Sequence, residues 1–252
     1  MSSVSARLKI RMATKNEEIE TKFLQSEDIQ LSFEARVNLL ADLNKISAHI
    51  ECVHEEHEIL EFITYILAKL PDGCIVEAGS YKGGGSAKLS ILAKLTGKVL
   101  YIFDSFEGLP EHEENHVKNI FGKPVTFSKG EYSSTVETTR NNIARFGYLE
   151  VCELIPGWFK DSLVKFKSPI AGAYIDVDLV SSVRECLKCF YPLLSPNGAI
   201  FCHDGHLPLV LRLLDDDVFW NEEIGCEKPL IVGMNERKLI GIMKQVEATG
   251  LQ

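Results

Sequence analysis

The sequence predicts an α/β fold: a mostly parallel sheet that ends in an antiparallel C-terminal hairpin and follows a pair of N-terminal helices. Three observations carry this expectation. Apolar positions between residues 31 and 70 recur at helical spacing. After the Pro71-Asp72-Gly73 turn, short apolar runs alternate with amphipathic stretches, the pattern of repeated strand-helix units and a parallel sheet. The last two apolar runs are joined only by Met234 to Arg237, which is too short for a parallel crossover and suits a hairpin.

Taken in order, residues 1–30 are polar and mixed in charge, and they read as a flexible or loosely docked arm ahead of a single domain spanning 31–252. Leu39, Leu40, Leu43, Ile46 and Ile50 mark a first helix, and Ile59, Leu60, Ile63, Ile66, Leu67 and Leu70 a second. Strands are expected at Cys74 to Ala78, Val99 to Phe103, Val151 to Ile155, Gly172 to Val177 and Ala199 to His203. Helices fall between them at Ser86 to Leu95, Ser133 to Phe146, Lys160 to Phe166 and Leu179 to Leu194. Pro229 to Gly233 and Lys238 to Met243 form the hairpin.

Composition narrows the function classes. A chain of 252 residues suffices for one large domain with a full core, and 45% hydrophobic content is ordinary for a globular protein. The formal charge of −9, from 27 basic and 36 acidic residues, disfavours nucleic acid, whose phosphates need clustered Lys and Arg. A small neutral or cationic substrate fits better. Seven cysteines without regular spacing suit a reducing cytoplasm, and Cys74, Cys186 and Cys202 lie in apolar runs expected to be buried. No apolar run is long enough to span a membrane. A homo-oligomer remains open.

The most informative stretch runs from Ile75 to Ser86: a buried strand ending in Glu77, a glycine-rich turn, then a helix. Gly79 and Gly83 let backbone approach a ligand closely, but the spacing departs from the dinucleotide G-x-G-x-x-G. Glu77 would repel a pyrophosphate and suits the ammonium of a methionyl group, so the cofactor expected is S-adenosylmethionine rather than a nicotinamide dinucleotide. The alternative is an ordinary tight turn with a surface acid. The next strand ends in Asp104, followed by Ser105-Phe106-Glu107-Gly108-Leu109-Pro110. An acid at the end of strand two can accept both hydroxyls of a ribose, or it can cap a helix. A parallel sheet closed by an antiparallel pair is what the Rossmann-like class I methyltransferase sheet requires.

A third group lies at the ends of strands four and five, in Tyr174-Ile175-Asp176-Val177-Asp178 and Cys202-His203-Asp204. Neighbouring parallel strands bring Asp176, His203 and Asp204 together, so the three are candidate ligands for a divalent cation, Mg²⁺ or Mn²⁺. Such an ion would lower the pKa of a bound hydroxyl and make oxygen a competent nucleophile at neutral pH. Asp178 and Asp204 have an alternative role as helix N-caps.

In order and spacing, the segments Val76 to Ser86, Tyr101 to Pro110, Gly157 to Leu163, Ile175 to Leu179, Tyr191 to Gly198 and Arg237 to Leu239 resemble the macrocin O-methyltransferase family over residues from about 50 to 244. The resemblance implies a Mg²⁺-dependent O-methyltransferase acting on hydroxyls of a small-molecule acceptor of the sugar or natural-product type. It implies that Glu77, Gly79 and Gly83 hold the methionyl end and Asp104 the ribose, with Ser80 and Ser105 also among the cofactor-binding residues, and that Trp158 and Phe159 offer an aromatic surface to adenine. Asp176 and His203 become the catalytic candidates. The chain also departs from its family: His203-Asp204 stands where two adjacent aspartates are usual, and Val177 stands where the family has Gly.

Two further readings compete with the metal-assisted enzyme. One keeps the cofactor and makes His203 or His206 a general base without metal. The other is a cofactor-binding module without turnover. Cys186-x-x-Cys189 reads as helix packing, Asp215 to Asp217 as a solvated helix end, and His54 and His57 as surface histidines near a helix that covers the site. The acceptor pocket would be built from the N-terminal helices and the Glu111 to Val125 loop.

Overall fold

Strand β1 (Cys74–Ala78) is buried along its whole length, and that demand for cover on both faces organises the rest. A computed structural model describes residues 16–244. After helix α1 (residues 16–25) come α2 (Phe33–His49) and α3 (Glu56–Lys69). Then β1, α4 (Gly84–Thr96), β2 (Leu100–Asp104), α5 (Val136–Phe146), β3 (Cys152–Pro156), α6 (Phe159–Ser162) and β4 (Ile170–Ile175) follow in alternation. The chain ends through α7 (Val180–Leu193), β5 (Leu194–Cys202), α8 (Pro208–Asp215), β6 (Ile231–Val232) and β7 (Ile240–Met243).

The seven strands lie in the order β3-β2-β1-β4-β5-β7-β6. The first five in this order run parallel, and β7 pairs antiparallel with both β5 and β6. The order reverses between β1 and β4, the switch point at which open α/β sheets bind ligands. One face packs Val76, Ala173 and Ile175 against α7 residues such as Val183, Leu187 and Phe190. The other packs Ile75, Tyr174 and Phe201 with Phe62 and Ile66 of α3 and Leu89 and Leu92 of α4. Contact there is tight: a side chain at Gly172 would lie 2.5 Å from Ile66 Cδ1.

Residues 1–15 of the expected arm lie outside the described residues, while 16–30 are held to α2 by one side chain. The buried Arg36 donates to the carbonyls of Phe23, Leu24 and Ile29 at 2.8–3.2 Å, and Phe23 and Ile29 are themselves buried. Other differences from the sequence expectation have local causes. The expected helix at 160–166 is a single turn, α6, because Phe166 leaves the helical path to pack against Tyr101, Phe103 and Phe190. Strand β5 starts earlier than expected, at Leu194, through a register shift opposite Ile170 and Gly172. Helix α8 and the π-helical turn Phe219–Ile224 had no assignment; Trp220 ties them together by donating to Leu214 O at 2.8 Å. Cys74, Cys186 and Cys202 are buried free thiols, as expected. Among the described residues no helix is long and apolar enough to cross a membrane.

Candidate active site

The loops after β1, β2, β3 and β4 line a cleft at the switch point. One half begins at Gly79, whose φ of 85° and missing side chain are both required, since a Cβ would fall 1.9 Å from Asp176 O. Gly83 begins α4, also with positive φ, but it faces Thr139 of α5 rather than the cleft. Thr139 in turn donates to Tyr81 O, so this glycine shapes the turn from behind.

Glu77 is 2% exposed and accepts a hydrogen bond from the Ser86 hydroxyl. Burial pushes its carboxyl up to about 8 despite that bond. Asp104 is differently placed. Its Oδ2 accepts from Ser80 N at 2.7 Å, Ser80 Oγ at 3.1 Å and Tyr81 N at 3.2 Å, and its Oδ1 accepts from Phe106 N at 2.7 Å. The carboxylate therefore pins the β1 loop to the β2 loop and keeps one Oδ1 lone pair for a ligand hydroxyl. Ser105 Oγ donates to Gly108 O and accepts from Glu107 N, both at 3.1 Å, so it closes a turn at the lip. Trp158 and Phe159 line the cleft beyond β3.

At the other half, ligand oxygens of Asp176, Asp178 and Asp204 lie within 4.8 Å of one another. Asp204 is fully buried; its Oδ2 accepts from Val177 N at 3.1 Å, while Oδ1 has no partner among the described residues. Burial, then the neighbouring Asp176 charge, pushes Asp204 up to about 7. Burial and the same like charges push Asp178 well above the carboxylate range. Neither residue is an N-cap. The N-termini of α7 and α8 begin at Leu179 and Leu207 without side-chain caps of their own, and α7 is capped from a distance by Glu114, which accepts from Val180 N and Ser181 N.

His203 does not join that cluster. Its Nδ1 lies 2.9 Å from Asp176 Oδ1 and its Nε2 2.8 Å from Glu58 Oε2. Burial opposes the charged ring, but Asp176 and Glu58 outweigh it and hold His203 up to about 10. In return, His203 overcomes burial and holds Glu58 down to about 2 and Asp176 below the usual carboxylate range. Both ring nitrogens face carboxylate oxygens, an arrangement that favours the doubly protonated ring. His206 points Nδ1 at His203 O, 3.3 Å away. Of the sequence-derived set, Asp176 and Asp204 come together, Asp178 joins them, and His203 braces Asp176 from behind.

Several site residues were missed. Glu58 looks like a first-turn acid, and it does serve a capping box by accepting from Glu55 N, yet the same Oε2 faces His203. Tyr174 sits inside the fourth-strand motif and lines the cleft. His54 and His57 are not surface residues: His57 is 6% exposed, and His54 lines the cleft against the buried Lys88.

The doubly wound sheet, its antiparallel end pair and a cleft at the β1/β4 switch point define the Rossmann-like fold of class I methyltransferases. Over residues 54–227 the chain matches the family Macrocin-O-methyltransferase (TylF), and it belongs to that family. It is 30% identical over 145 residues to 8-demethyl-8-(2,3-dimethoxy-alpha-L-rhamnosyl)-tetracenomycin-C 4'-O-methyltransferase of Streptomyces olivaceus, covering 55% of each chain. It is 26% identical over 137 residues to demethyldecarbamoylnovobiocin O-methyltransferase of Streptomyces niveus, covering 52% of each. The chain thus spans about half the length of these curated relatives. The O-methyltransferase NovP shares the fold at a TM-score of 0.60 and 19% identity, over 75% of this chain and 78% of that one. The calicheamicin methyltransferase CalS11 shares it at 0.51 and 16%, over 91% of each.

Proposed function

We propose that this protein is an S-adenosylmethionine-dependent O-methyltransferase that methylates a hydroxyl of a small sugar or natural-product acceptor, with a divalent cation held by Asp176, Asp178 and Asp204. One observation carries the reading. Asp176 and Asp178 line the same cleft as Glu77, Asp104 and Trp158, with Asp204 buried behind them, so groups suited to a cofactor and groups suited to activating a hydroxyl share one cavity.

The residues fit both groups. Glu77 is a buried acid with no cation beside it in the described hydrogen bonds and ion pairs, and an ammonium would complete it. Three crowded carboxylates, one with an oxygen lacking a protein partner, suit a hard cation that takes oxygen ligands. With no imidazole among these ligands, Mg²⁺ is not handicapped against later transition metals. When bound, the sulfonium nucleoside supplies an electrophilic methyl group and the cation supplies charge that acidifies the acceptor hydroxyl. Asp176 then receives the hydroxyl proton on Oδ2, since Oδ1 is held by His203. His203, charged and doubly engaged, orients Asp176 and does not act as the base. The aromatic walls from Trp158 and Phe159 keep the cleft apolar around the adenine.

The test uses radiolabelled S-adenosylmethionine with a panel of hydroxylated glycosides and aglycones, with and without chelator, and titrates Mg²⁺ into the protein by calorimetry. Methyl transfer to a hydroxyl that falls on chelation, with Mg²⁺ binding lost in Asp204→Asn, is the expected result. Full activity in chelator removes the cation from the reading, and transfer only to nitrogen removes the acceptor class.

A further inference from the structure

Lys88 is 0% exposed in the layer between α4 and the sheet, and among the described residues its one polar contact is His54 Nε2, 3.1 Å away. Glu56 acts on it only through its charge at a distance, and a buried ammonium with no carboxylate in hydrogen-bond contact is costly unless something else satisfies it. An ammonium only donates, so Nε2 must accept and the ring proton of His54 sits on Nδ1. Burial, then the Lys88 charge, holds His54 down to about 3, so the ring stays neutral and polarised towards Nδ1. His54 lines the cleft. Its place there is fixed by Gly85: a Cβ at that glycine would lie 2.5 Å from Glu77 Oε1 and 3.4 Å from His54 Cε1, so the two side chains face each other across it.

A second donor adjoins them. Tyr174 is the register partner of Glu77 between β1 and β4, so both point to the same face, and its ring meets that of His54 edge-on with centroids 6.2 Å apart. The phenol is 2% exposed, and its hydroxyl has no hydrogen-bond partner among the described residues. Glu77 calls for a cation while Lys88, His54 and Tyr174 call for an anion, an arrangement complementary to the two charges on one α-carbon.

We propose that His54, backed by Lys88 and joined by Tyr174, receives the carboxylate of the methionyl group whose ammonium Glu77 holds. The inference rests on the cofactor assigned under the proposed function. Acceptor carboxylates are a poorer match, because only an amino acid places its anion one carbon from the group on Glu77.

Calorimetry of the full chain with S-adenosylhomocysteine and with its decarboxylated analogue tests this. The wild type should prefer the carboxylated ligand by about 10- to 100-fold, the range for hydrogen bonds to a charged group. Lys88→Met and His54→Phe should each reduce that preference below about threefold while leaving affinity for the analogue unchanged; Lys88→Arg should keep most of it. Lys88→Met removes a buried charge and should melt no lower than wild type, so a loss of preference there is not a loss of fold. An unchanged preference in both disruptive variants, or none in the wild type, overturns the subsite. Failure of the wild type to bind either nucleoside overturns the cofactor assignment itself, a distinguishable result.

Discussion

Two groups of carboxylates close the same edge of the sheet and are balanced in opposite ways. Asp104 is surrounded by donors that belong to the fold, three of them backbone N–H groups. Asp176, Asp178 and Asp204 crowd one another, and Asp204 keeps an oxygen with no partner among the described residues. A satisfied acid of the first kind stabilises the loops after β1 and β2 that line the cleft. Crowded acids of the second kind are pushed by burial and by one another towards their protonated forms. Similar residues at the ends of β2, β4 and β5 are thus satisfied in one place and crowded in the other, and the difference lies in how many donors the backbone delivers.

The largest effect is expected at Asp176. Asp176→Asn should lower methyl transfer by about 10²–10⁴-fold, the usual contribution of a positioned general base, with the dissociation constant for S-adenosylhomocysteine close to wild type. Activity within threefold of wild type would assign the proton transfer elsewhere. Adding Mg²⁺ to chelated protein should next raise stability by about 2.7 kcal/mol at a hundredfold excess over its dissociation constant. Thermal melts of Asp178→Asn and Asp204→Asn should lack that rise, whereas Asp104→Asn should keep it.

Asp104→Asn probes the satisfied side. It should cost about 1.5–3 kcal/mol in urea unfolding, because an amide nitrogen would confront backbone N–H donors. A smaller loss would mean the loops hold themselves. Glu77 gives a pH signature. The folded protein retains its proton up to about pH 8, whereas the unfolded chain loses it near 4.5, so this stabilisation is complete below pH 4.5 and is lost as pH rises through about 8. Between pH 5 and 7.5 the group lowers stability by about 1.4 kcal/mol per pH unit, and the slope of Glu77→Gln should be shallower by that amount. Matching slopes would show that Glu77 is ionised before the ligand binds. The smallest effect is expected at the distant cap: Glu114→Ala should cost about 0.5–2 kcal/mol and speed proteolysis of the 111–125 loop.

Periodicity and strand-end acids made most of the frame legible in the sequence. The apolar run Cys74 to Ala78, the glycine turn after it and the short Met234 to Arg237 connection placed β1, α4 and the antiparallel end pair within a residue or two, because those signals are local. Glu77, Asp104 and Asp176 could be expected at the cleft they line, because parallel strands deliver their C-terminal ends to one edge, whereas Asp204 is buried behind it. Local signals could not say what each side chain meets there. His203 resembles a metal ligand in sequence, yet Glu58 from α3 and Asp176 take both of its nitrogens. Asp178 resembles a helix cap, yet Glu114 fills that role across 66 positions of chain. Lys88 and His54, 34 positions apart, meet only because α4 and the α2–α3 connection pack over the same face of the sheet. Local sequence signals specify the elements of the sheet and the residues available at its edge. Only the tertiary structure decided which acids are satisfied, which cations are stranded and which groups face the cleft, since hydrogen bonds and desolvation depend on neighbours that the chain brings together from far apart.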